Sequence, residues 1–132
     1  MPRLSRWPSL TLLALVLLVL AAYNALGVVS GVTGYAFLQR LPLDVPAVYL
    51  IAGHAVWTIL WGWLSWGLWQ MRRWARWGVL VAAAAYLAHG WLNRLVWGYS
   101  DYAVTTAPWS LVAGVLAVAL TAWLVGRSAP WR

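Results

Sequence analysis

The sequence predicts an all-α integral membrane protein, a four-helix up-down-up-down bundle. Three observations carry that expectation. The chain has 132 residues, of which 64% are hydrophobic and only 8% charged, where a soluble domain carries roughly 25% charged residues. The apolar residues fall into four runs long enough to span a bilayer, separated by short polar turns. The basic residues also gather on alternate turns, as the positive-inside rule requires of a multi-pass protein. A soluble bundle of this composition could not clothe its surface in polar side chains.

The runs are 10–30, 46–71, 77–97 and 108–126, in one domain covering 1–132. A helix needs about 20 residues to cross ~30 Å of hydrocarbon. The first run follows a basic lead-in with Arg3 and Arg6. It is long for a signal-peptide core and no A-x-A cleavage site follows it, so it reads as a retained helix. Gly31, Thr33 and Gly34 suggest a frayed outer end. Pro46 suits the start of the second helix, because a proline there gives up no paired N–H. Arg72 to Arg76 reads as a basic turn, 98–107 as a polar loop, and Pro108 as the opening of the fourth helix.

Arginine supplies all nine basic residues, for a net charge of +7. Arg3, Arg6, Arg72, Arg73, Arg76, Arg127 and Arg132 fall on one side of the predicted bundle. Arg40 and Arg94 fall on the other with both acids, Asp44 and Asp101. This places the amino and carboxyl termini in the cytoplasm, with a bacterial cytoplasmic membrane as the expected location. Small arginine groups between apolar runs argue for lipid headgroup contact by Arg72, Arg73 and Arg76, and against nucleic acid. The absence of cysteine removes disulfides and thiolate metal sites.

Without a hydrophobic drive in lipid, helices associate through small residues and hydrogen bonds. The first helix offers Gly27-x-x-x-Gly31, continued inward by Asn24, Ala21 and Leu17. The fourth offers Ser110, Gly114, Ala117 and Thr121. Either line serves packing within the chain or a homodimer seam. Five of the thirteen tryptophans, Trp57, Trp61, Trp63, Trp66 and Trp69, encircle the second helix. They cannot all face inward, so some meet lipid or a partner protein.

Polar side chains within a bilayer mark candidate sites. The candidate ligand-binding residues are His54, His89, Asn24, Thr58 and Asn93. His54 and His89 each lie roughly 12 Å below the outer boundary at 1.5 Å rise per residue. They lie on faces that an antiparallel hairpin could set opposite each other. Three readings follow: a satisfied polar layer that locks helix register, a small-molecule or proton site with Arg94, Asp101 and Tyr102 at its mouth, or bis-histidine ligation of haem b. Arg94 also suits snorkelling to headgroups or pairing with Asp101.

Gly67-Leu68-Trp69, then Arg73-Trp74-Ala75 and Trp77, resembles a segment of a domain-of-unknown-function family of small bacterial four-helix membrane proteins. In that family a Gly-Leu-Trp ends one helix and an Arg-Trp-Ala-x-Trp opens the next. The resemblance implies a multi-spanning protein and no activity. The chain has no H-E-x-x-H, no G-x-S-x-G and no carboxylate inside a span, which leaves hydrolases and glutamate-dependent small exporters without their chemistry. The expectation is a non-enzymatic structural or accessory subunit, without a resident cofactor, that packs against itself or another membrane protein. Its alternatives are a haem- or quinone-associated electron-transfer component and a small transporter or channel.

Overall fold

The structure is a computed structural model that describes residues 8–41, 45–97 and 101–127. It contains α1 (Pro8–Thr33), α2 (Tyr35–Leu38), α3 (Ala47–Trp69), α4 (Arg73–Trp97) and α5 (Asp101–Arg127), and no strand among the described residues. The four long helices are long and apolar enough to cross a membrane, as expected of a multi-pass membrane protein. Arg3, Arg6, Asp44 and Arg132, which enter the orientation argument, lie outside the described residues. The backbone of 101–104 is described but its side chains are not, so the predicted mouth residues Asp101 and Tyr102 are also outside.

The main seam joins α1 to α3. Along α1 the buried positions Leu10, Leu17, Asn24 and Gly31 recur every seven residues, with Ala14 and Ala21 between them. A spacing averaging 3.5 keeps one stripe facing its neighbour over the whole helix. The small residues let the backbones close up. A Cβ added to Gly27 would stand 2.7 Å from the His54 ring, and one added to Gly31 2.5 Å from Ile51. The Gly27-x-x-x-Gly31 face is thus occupied by α3 of the same chain. At the other end, Ser65 Oγ–H donates to the Ala14 carbonyl at 2.7 Å. Partners on α3 fall in number as those on α1 rise, so the two helices run in opposite directions.

Between α3 and α4 the turn is tighter than the predicted basic loop. Only residues 70–72 lie outside helix, and Arg73 and Arg76 belong to the first turn of α4. Met71 has φ 56, the left-handed region. Its N–H donates to the Leu68 carbonyl at 3.0 Å, and Arg72 N–H donates to the Gly67 carbonyl at 3.0 Å. This pair of bonds is a Schellman termination, which pairs carbonyls that the helix end would otherwise leave without donors. Further along, Leu64 lies over Gly78, and Trp61 and Trp57 meet Tyr86 with ring centroids 5.5 and 4.7 Å apart.

α5 is the looser member. It leans on α4, with Leu87 against Gly114 and Arg94 Nη1 donating to Thr106 Oγ1 at 3.3 Å. Val125 joins the core beside Ala75 and Val79. The fourth helix begins earlier than predicted: α5 starts at Asp101 and carries Pro108 within it. Pro108 cannot supply the N–H that the carbonyl four residues back would accept, yet no glycine or second proline between 101 and 107 breaks the helix. Of the five tryptophans on α3, Trp61 is buried and Trp57 half-buried, whereas Trp63, Trp66 and Trp69 face outward.

Candidate functional site

Four of the five candidate polar residues gather around a cavity of about 220 Å³ lined by residues of α1, α3 and α4. Asn24, His54, His89 and Asn93 line it; Thr58 does not. Thr58 Oγ–H instead donates to the His54 carbonyl of its own helix at 2.7 Å. This back-bond to the preceding turn is a usual way to satisfy a threonine in a helix.

His54 and His89 border the same cavity but are held by different helices. His54 turns toward α1, where Gly27 leaves room for its ring. Asn24 is buried, and its Nδ2–H donates to the Leu20 carbonyl at 2.8 Å. That bond orients the amide so that Oδ1 faces His54 Nδ1 at 3.0 Å. An amide oxygen can only accept, so His54 Nδ1 carries the hydrogen and Nε2 of the neutral ring carries a lone pair. Trp61 Nε1 and Arg76 Nε are the buried side-chain polar atoms without a partner among the described residues. His54 Nε2 is not among them, so it is not fully buried, and the His54 side chain borders the cavity.

His89 is the opposite case. Trp57 Nε1–H donates to His89 Nδ1 at 3.3 Å. An indole N–H cannot accept, so Nδ1 holds the lone pair and Nε2 the hydrogen. His89 Nε2–H then donates to Tyr49 Oη at 3.0 Å, and Tyr49 Oη–H donates to Asn93 Oδ1 at 2.6 Å. The chain Trp57, His89, Tyr49, Asn93 runs in one direction with each hydrogen placed by its donor. The 3.4 Å approach of Asn93 Nδ2 to His89 Nε2 then sets two donors side by side and adds no bond.

This arrangement does not suit haem. Both nitrogens of His89 are engaged, so neither can approach an iron without losing a hydrogen bond. Among the described residues no group of three or more His, Asp or Glu side chains could hold a metal ion. Tyr49 and Trp57 are members of the site that a reading of polar residues alone does not include. With Gly53 they recur every four residues along one face of α3, each ring carrying a polar handle on an apolar body; that spacing was the available signal.

A second, larger cavity of about 420 Å³ lies between α1, α4 and α5, with Trp61 of α3 at its wall. Its lining is apolar apart from Arg94, Ser110, Thr121 and the polar tips of its rings. The small-residue line of α5, Ser110, Gly114, Ala117 and Thr121, faces this space.

At the other end of the α3–α4 hairpin, Arg72 and Arg73 are exposed and Arg76 is half-buried. Arg72 Nε–H donates to Gln70 Oε1 at 3.1 Å. The Arg76 guanidinium lies 5.5 Å from the Trp77 ring and that of Arg127 4.8 Å from Trp123. Both distances are within the reach of cation–π attraction. Compared with models of known families, with curated proteins and with solved structures, the chain matches none of them.

Proposed function

We propose that the chain crosses the bacterial cytoplasmic membrane four times as an up-down-up-down bundle, with both termini in the cytoplasm, and works as a non-enzymatic accessory subunit of a membrane assembly. One observation carries this reading: several polar groups of the spans tie one helix to another. Ser65 binds the α1 backbone, His54 binds Asn24, and His89 links Trp57 to Tyr49. Such ties set helix register in lipid and perform no reaction. The outward face of α3 supports the partner role. Val56, Ile59 and Trp63 are exposed and, with Leu60, border a shallow apolar hollow of the kind a neighbouring helix fills.

Arg72, Arg73 and Arg76 anchor the hairpin to anionic headgroups, each contributing about 1 kcal/mol near the surface. Reporters fused to each terminus test the orientation; an active periplasmic reporter at either end contradicts it. Purification in mild detergent tests the function. A stoichiometric membrane partner, lost on Trp63→Ala with Ile59→Ala, is the expected result. A monomer with no partner under conditions that preserve known membrane complexes removes the accessory role.

A further inference from the structure

The two cavities share a wall made by Tyr86 and Gly90. Gly90 is exposed and puts no side chain between the two, and a Cβ built there meets nothing within 4 Å. On the polar side stands the His54 side chain, whose Nε2 is an acceptor without a partner among the described residues. Among the described residues no carboxylate or arginine lines that side, and a neutral head bearing an O–H complements the groups that do. The rings of Trp57 and Tyr86 border it and favour a flat aromatic group. On the apolar side, the slot runs along α4 from Val79 to Arg94, roughly 22 Å at 1.5 Å rise per residue. Val16 and Ala117, both exposed, lie on its rim, so it opens sideways between α1 and α5 toward lipid.

We propose that the two adjoining cavities together bind one amphiphile of the bilayer, a prenylated quinol. Its hydroxyl donates to His54 Nε2 and its tail lies in the slot between α1, α4 and α5. A long-chain alcohol shares the hydroxyl and the tail but not the ring, and the corresponding quinone keeps the ring but cannot donate.

The test uses the full chain in detergent micelles, with decylubiquinol, decylubiquinone and dodecanol as probes in calorimetric titrations. Decylubiquinol binds saturably, and decylubiquinone about tenfold more weakly, the worth of one hydrogen bond. On adding quinol, the ¹⁵N signal of His54 Nε2 shifts while both signals of His89 hold. Gly53 lines the polar cavity, and a Cβ there also meets nothing within 4 Å. Gly53→Leu and Gly90→Leu therefore add bulk to the head pocket and to the wall the two cavities share, without a backbone clash at Cβ. Each weakens quinol binding about tenfold or more, an effect of the size that lost apolar contact gives, while helicity and elution volume stay unchanged. Equal affinity for quinol and quinone overturns the proposal. So does quinol binding that survives both leucine variants. Dodecanol binding as tight as quinol overturns the aromatic head and assigns the site to a lipid alcohol.

Discussion

Gly67 lies directly beneath the ring of Trp74: a Cβ built on it would stand 2.6 Å from Trp74 Cη2 and 2.8 Å from the Ala75 Cβ. The hairpin of α3 and α4 closes only because this position has no side chain. Gly67→Ala forces the indole or the α4 backbone outward and is expected to destabilise the fold by about 1–3 kcal/mol, the usual cost of overpacking. Gly62, on the same helix, is the control, since a Cβ there meets nothing within 4 Å. Gly62→Ala should be neutral or stabilise by up to about 1 kcal/mol through helix propensity. Unfolding in mixed micelles on adding SDS measures both. Equal midpoints for the two variants contradict the contact.

Four residues further on, the chain turns through Met71 at φ 56. A side chain in the left-handed region costs roughly 1–2 kcal/mol relative to the right-handed one, and glycine avoids it. Met71→Gly should therefore raise stability by about 1 kcal/mol, the more so because the two bonds closing the turn use backbone atoms alone. Met71→Ile, branched at Cβ, should lower it. The same SDS titration reads both changes, and a destabilised glycine variant contradicts the turn geometry.

The four spans were legible because length and apolarity suffice to mark them, and the α1 stripe from Leu10 to Gly31 was legible in part as a line of small residues. The partners of the polar groups were not. Facing His54 toward His89 follows from treating α3 and α4 as an isolated hairpin. The gap at Gly27 instead draws His54 to α1, and a gap is visible in sequence only when its complement is known. Pro108 misled for a related reason. A proline reads as a helix start, yet the helix runs through it from Asp101, because position-by-position preference does not record what holds the preceding turn. Trp57 reads in sequence as one of five tryptophans around a helix, and no motif in the sequence singles out Tyr49. Their role in holding His89 depends on rotamers that spacing does not supply.

Ser65 is 8% exposed and donates across the seam to the Ala14 carbonyl. Interhelical hydrogen bonds of this kind average about 0.6 kcal/mol in membrane proteins and reach roughly 1.7. Ser65→Ala should destabilise the bundle within that range. Thr121 is the contrast. Its hydroxyl donates to Ala117 on its own helix at 2.8 Å, so Thr121→Ala should change stability by no more than a few tenths of a kcal/mol, typical of a surface substitution. Thermal unfolding in detergent separates the two. A Ser65→Ala variant as stable as Thr121→Ala would mean that α1 and α3 are joined by packing alone.

The two histidines should show opposite tautomers. Asn24 Oδ1 requires hydrogen on His54 Nδ1, and the Trp57 indole requires hydrogen on His89 Nε2. Selective ¹⁵N-histidine labelling in micelles distinguishes the two forms, because protonated and lone-pair nitrogens resonate far apart. Trp57→Phe removes the donor that selects the His89 form, so both tautomers of that ring should become populated while His54 is unchanged. Asn24→Leu should do the reverse, releasing His54 and leaving His89 fixed. Matching tautomers in the unsubstituted protein, or a Trp57→Phe variant that disturbs His54 instead, would show that the two rings form one hydrogen-bonded unit and not two separately anchored ones.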